Sequence, residues 1–168
     1  MTPKRSEPPY ITDERSMLDG WLEWHRGTLE KKCRGLDDAQ LRERSVPPSS
    51  LSLLGLVRHM AEVERAWFQR CIGDTKVELL YCTEEDRDGD FDNVDTADVE
   101  ADMRTWREEC DKSRRIFEDV GSLDDTCKRR NGDEISVRWV ITHMVEEYAR
   151  HNGHADLLRE RIDGSTGY

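Results

Sequence analysis

The segment from Ser136 to Gly164 admits few structures. At about 100° per residue on a helix, Val137, Val140, Met144, Tyr148, Ala155, Leu158 and Ile162 fall on one apolar face. Ser136 is placed to open this helix, and Asp163-Gly164 to close it. Within it, H-M-V-E-E-Y-A-R-H-N-G-H, from His143 to His154, holds three of the five histidines. Glu147 and His151 fall inside the apolar face, four residues apart and so on adjacent turns. His143 and His154 fall toward its polar edge. A core-facing carboxylate is costly to bury unless it is paired or bound to a metal. Glu147 and His151 therefore require an explanation.

Three further segments repeat the helical period. Leu18, Trp21, Leu22, His25, Leu29 and Cys33 recur at three- and four-residue steps behind a cap at Thr12 or Asp13, and Gly35 ends that helix. Leu36 to Leu41 reads as one extra turn before a loop closing at Pro47-Pro48. Ser49 or Ser50 caps a second helix whose inner face is Leu53, Leu56, Val57, Met60, Val63 and Trp67, with His59 at its edge. Thr96 caps a third, carrying Val99, Met103, Trp106, Cys110 and Phe117. These patterns predict an all-α, antiparallel four-helix bundle over residues 12–168, with helices near 12–34, 50–72, 96–120 and 136–162. Residues 1–11 read as a polar, flexible arm. The acidic stretch 74–95 reads as a long loop, and a loop of that length in a compact domain often covers a pocket. The third and fourth helices are joined by a polar connection with a turn at Asn131-Gly132.

Composition narrows the function classes. Of the residues, 38% are charged, the formal net charge is −11 and the pI is about 5.0. Phosphate backbones and anionic lipid repel such a chain, so nucleic acid is excluded as a partner. No apolar run reaches the roughly 20 residues of a membrane span, and the N-terminus lacks the apolar stretch of a secretion signal. The five cysteines (33, 71, 82, 110 and 127) are odd in number and contain no C-x-x-C pair, which fits a reducing cytoplasm.

One reading of the histidines is a mononuclear site: His59 from the second helix with Glu147 and His151 from the fourth. Two imidazoles and a carboxylate suit Zn²⁺ and leave room for water or substrate; Ni²⁺ and Fe²⁺ are accommodated as well. The E-x-x-x-H spacing is common by chance in a charged helix. Spacing alone therefore favours the structural reading, with Glu147 paired to an arginine and His151 a core histidine. A di-iron site needs Glu-x-x-His pairs, and none is present. Cys71 and Cys110 lie on apolar faces, where an inert thiol is usual. The tryptophans at 21, 67, 106 and 139 read as packing anchors.

At these residues a family resemblance enters. L-S-L-L-G-L-V-R-H-M-A-E-V-E-R-A-W-F (Leu51 to Phe68) and S-V-R-W-V-I-T-H-M-V-E-E-Y-A-R-H-N-G-H-A-D-L-L-R-E (Ser136 to Glu160) resemble the DinB-like, or YfiT-like, superfamily of metal-dependent thiol S-transferases. G-L-D-D-A-Q-L after the first helix fits the same pattern, and the actinobacterial branch related to the mini-circle protein is the most similar. The resemblance implies a four-helix bundle with a metal held by a histidine of the second helix and two residues, four apart, of the fourth. His59 and His151 match the first and last ligands. The middle ligand is commonly His, and Glu147 stands there as in the N-terminal domain of mycothiol-dependent maleylpyruvate isomerases. The resemblance thus reverses the order of the two readings and implies His59, Glu147 and His151 as ligands of a divalent metal, zinc first, with nickel or iron as alternatives. His143 and His154 stay outside the ligand set.

The implied activity is S-transfer or isomerisation, in which the metal activates a low-molecular-weight thiol such as mycothiol for attack on an electrophile. The competing class is a non-catalytic metal-binding or interaction bundle. The implied partners are a small-molecule thiol and an electrophile, with no nucleic acid and no membrane, and a homodimer as one option for assembly.

Overall fold

The computed structural model describes residues 7–167; the first six residues of the expected arm lie outside the described residues. The chain is all-α, a helical bundle, and its sheet among the described residues has two short strands. The helices are α1 (Glu14–Cys33), α2 (Asp38–Arg42), α3 (Leu53–Glu64), α4 (Gly89–Asp92), α5 (Val99–Asp119) and α6 (Val137–Asp163). The strands β1 (Thr126–Lys128) and β2 (Glu134–Ser136) pair antiparallel, Cys127 opposite Ile135. No described helix is long and apolar enough to cross a membrane.

The caps explain the boundaries. Asp13 accepts from the Ser16 amide at 3.0 Å and starts α1. Asp37 and Gln40 close a reciprocal capping box on α2. Asp98, not Thr96, caps α5, accepting from the Ala101 amide at 3.0 Å, so that helix begins two residues later than a Thr96 cap would place it. Ser136 accepts from Trp139 N at the start of α6, and Gly164, at φ 78°, ends it. Beyond Glu64 the second helix continues as a π-helical stretch, Arg65–Ile72, ending where Gly73 N donates to Phe68 O at 2.8 Å. The polar connection before α6 is a hairpin: Asn131-Gly132 is its turn, and Gly132 takes φ 91°.

Two compact units divide the chain: Met1–Leu53 with Ile141–Tyr168, and Leu54–Val140. In the first, Leu22 and Leu29 of α1 and Ile141, Met144, Tyr148, Ala155 and Leu158 of α6 are buried. Trp21 is 42% exposed, so the anchor expected there turns outward. Arg159 of α6 donates to the carbonyls of Lys32 at 2.9 Å and Arg34 at 2.8 Å. Those acceptors are among the orphan carbonyls that every helix C-terminus leaves.

In the second unit Leu54, Leu56, Val57, Met60, Ala61 and Phe68 are fully buried, and Trp106, Cys110 and Phe117 of α5 nearly so. Trp139 is 43% exposed and lies against Trp67, ring centroids 5.4 Å apart. Charge is buried here as well. Glu109, 1% exposed, accepts from Arg65 Nη2 at 2.8 Å and Lys112 Nζ at 2.7 Å and from Gln69. Arg58 donates to the carbonyls of Asp90 (2.9 Å) and Gly89 (3.1 Å) and to Asp102 Oδ2 (2.9 Å). Tyr81 closes this network by donating to Asp102 Oδ1 at 2.9 Å, and the Arg58 guanidinium lies 4.0 Å from its ring centroid.

Burial, followed by the Asp102 charge, raises the Tyr81 phenol above its ordinary value of 10. The folded chain therefore holds this proton more tightly than the unfolded chain. The associated stability is complete below about pH 10 and falls as pH rises above it, because the unfolded phenol ionises first. Urea midpoints measured from pH 8 to 11 should fall above pH 10, and Tyr81→Phe should flatten that fall. An equally steep fall in the variant would place the alkaline sensitivity elsewhere.

Candidate metal centre

Helix α6 brings Glu147 and His151 together, one turn apart. Glu147 Oε2 lies 3.4 Å from His151 Nε2. Its other oxygen, Oε1, lies 3.4 Å from His143 Nε2, and His143 Nδ1 is 3.5 Å from Glu146. The carboxylate thus stands between two imidazoles, at separations longer than a well-formed hydrogen bond. His143, Glu146 and Glu147 offer donor atoms within 4.8 Å of one another. The arginine partner expected for Glu147 in the purely structural reading is absent among the described residues; Arg150 pairs with Glu146 instead. His154 lies beside His151, rings edge-on with centroids 5.3 Å apart and the Nδ1 atoms 3.4 Å apart. That contact uses Nδ1 of His151, not the Nε2 that faces Glu147.

His59 projects from α3 in the other unit, and its environment is built by the acidic segment. Its Nδ1 is 2.8 Å from Asp90 Oδ2, and the Phe91 ring stacks on it at 4.9 Å. Asp90 is 3% exposed, and Arg58, the neighbour of His59 in sequence, holds its backbone. Position 89 has no room for a side chain: a Cβ there would sit 2.5 Å from the Tyr81 carbonyl. Glycine lets the chain pass close enough to bring Asp90 to His59. The Val77-to-Cys82 patch docks on α3, where Glu62 Oε1 accepts from the Tyr81 and Cys82 amides, the latter at 2.9 Å.

No motif or periodicity marks Asp90, and the family resemblance puts His143 outside the ligand set. A lone Asp in an acidic run carries no signal, since only the fold of the loop selects one carboxylate from many. His25, expected on the apolar face of α1, is held by Asn152, whose Nδ2 donates to the His25 carbonyl at 3.0 Å. Burial lowers the pKa of this imidazole.

Helices of this order form a known class. The crystal structure of a conserved protein from Enterococcus faecalis shares the fold, with a TM-score of 0.68 over 92% of this chain and all of that one, at 11% identity. No curated protein matches the chain. The family profile described as Mycothiol-S-transferase matches residues 17–164. The chain belongs to the mycothiol S-transferase family, within the DinB/YfiT-like superfamily. Membership connects it with S-transfer in general, and with a thiol and an electrophile as the kinds of small molecule involved.

Proposed function

We propose that the protein is a metal-dependent mycothiol S-transferase whose metal ligands are His59, Glu147 and His151, with Zn²⁺ as the metal and Ni²⁺ or Fe²⁺ as alternatives. The observation that carries this reading is the surrounding of Glu147. It is a half-buried carboxylate flanked by imidazole nitrogens, the donor chemistry of a borderline divalent cation. The pairing of Asp90 with His59 Nδ1 supports it too. A carboxylate on one ring nitrogen sets the tautomer and presents the other nitrogen, Nε2, to a metal.

A cation held by these residues supplies the Lewis acidity that keeps a small thiol deprotonated near neutral pH. The chain's own residues do the rest. Asp90 and Phe91 fix the plane of the His59 ring, and His143 steers Glu147 from the side opposite His151. Isomerisation differs from S-transfer only in that the added thiol leaves again. The same reading takes residues 12–168 as one domain behind the arm, supported by the matched span 17–164, and places the protein in a reducing cytoplasm, supported by its free cysteines.

The test is elemental analysis of protein purified after growth with zinc, nickel or iron, followed by mycothiol conjugation against a panel of electrophiles before and after chelation. About one metal per chain and conjugation abolished by the chelator are expected. Metal without conjugation supports the non-catalytic bundle instead. No metal under any growth condition overturns the enzymatic reading and leaves an interaction bundle.

A further inference from the structure

Two buried thiols of the second unit stand closer than unbonded atoms do. Sγ of Cys71, in the π-helical stretch, lies 2.7 Å from Sγ of Cys127 in β1. Unbonded heavy atoms rest at roughly 3.5–4 Å, whereas a disulfide brings its sulfurs to about 2.05 Å. The pair is therefore nearer to bonding distance than to ordinary contact. Both residues are largely buried, Cys71 at 6% exposed and Cys127 at 9%. The remaining cysteines have other surroundings: Cys110, for example, faces Glu64 at 3.6 Å.

We propose that Cys71 and Cys127 form an intramolecular disulfide that joins the end of the second helix to the hairpin. The pairing is set by the fold, since 56 residues separate the two positions and neither belongs to a C-x-x-C motif. The step balances with a small disulfide as oxidant. One protein thiol, deprotonated, attacks that disulfide and displaces one thiolate. The second protein thiolate then attacks the resulting mixed disulfide and displaces the other. Two protein thiols are oxidised, one small disulfide is reduced to two thiols, and the two protein protons end on them. Access is through a cavity of about 800 Å³ that Cys71 itself lines, together with Trp67, Arg70, Lys76, Lys128 and Arg129. The Arg129 charge favours the Cys71 thiolate, but burial outweighs it and pushes the thiol up to about 12. Attack is therefore slow at neutral pH. In a reducing compartment the bond forms only when the pool of small disulfides rises.

The experiment incubates the full-length protein with excess oxidised glutathione, alkylates remaining thiols and maps peptides without reduction. The expected product is two hydrogen atoms lighter, retains three of its five thiols and yields a Cys71–Cys127 linked peptide. Its melting temperature should exceed that of the reduced protein by several degrees, on the order of 5–10 °C, because the bond closes a long loop. Cys127→Ser should abolish the linked peptide and the shift, while Cys33→Ser and Cys82→Ser keep both. Should the serine variant fail to fold, the wild-type peptide map alone decides. Five alkylated thiols after oxidation, a stable glutathione adduct on either residue, or a bond between other cysteines overturns the proposal.

Discussion

Alanine at His59 or His151 should leave the purified protein without metal, and alanine at His154 should leave it loaded. Each outcome follows from the atom the ring offers. His151 turns Nε2 toward Glu147 Oε2, while its Nδ1 faces His154. His154 thus meets the other ring nitrogen of His151, not the one facing the carboxylate, and acts as a prop. Removing a ligand from a three-residue site lowers affinity by far more than removing a neighbour, for which roughly 10–100-fold is typical. His154→Ala should accordingly keep its metal at saturating supply and release it somewhat faster to a chelator. Asp90→Asn should behave like His154→Ala, because it alters the partner of His59 and spares the ligand. Elemental analysis of the four variants beside wild type, with circular dichroism to show that each is folded, makes the measurement. A metal-free His154 variant beside a loaded His151 variant would mean that the assignment on α6 is shifted by one turn.

Arg58→Ala should destabilise the protein by roughly 3–5 kcal/mol, the range for breaking one partner out of a buried ion pair. Arg58 and Asp102 are each 7% exposed. Removing the guanidinium leaves the Asp102 carboxylate buried without its charge partner, with the Tyr81 hydroxyl still donating to it, and takes a donor from the Gly89 and Asp90 carbonyls. Orphaned buried acceptors add about 1–3 kcal/mol each to such a loss, in part already within the same figure. Arg58→Met combined with Asp102→Asn should recover a good part of the stability, since the charge left behind is removed with its partner. Urea denaturation of the single and double variants gives the numbers. A loss under about 1 kcal/mol for Arg58→Ala would show that water reaches the network, and the double variant should then give no recovery. The variant also links stability to the site, because Arg58 holds the backbone of the residue that pairs with His59.

Much of the architecture was legible because it follows from local physics. The α6 pattern needs only a 3.6-residue period, and Val137, Val140, Met144, Tyr148, Ala155 and Leu158 are all buried as that period demands. Caps at Asp13 and Ser136 act within three residues, so short-range reading finds them. The same locality places Glu147 and His151 on one face. It fails where two caps compete, as Thr96 and Asp98 do, and where outward and inward aromatics look alike, as Trp21 and Trp106 do.

The sequence by itself thus determined the helical class, four long helices close to their bounds and the adjacency of two candidate ligands, because each rests on contacts a turn or so apart. Only the tertiary structure decided which of many acidic residues in 74–95 meets His59, which cation holds that loop in place and which two of five cysteines approach one another. Those choices depend on pairs 31, 32 and 56 residues apart. No periodicity encodes them, since they are settled by the geometry with which one packed element presents a side chain to another.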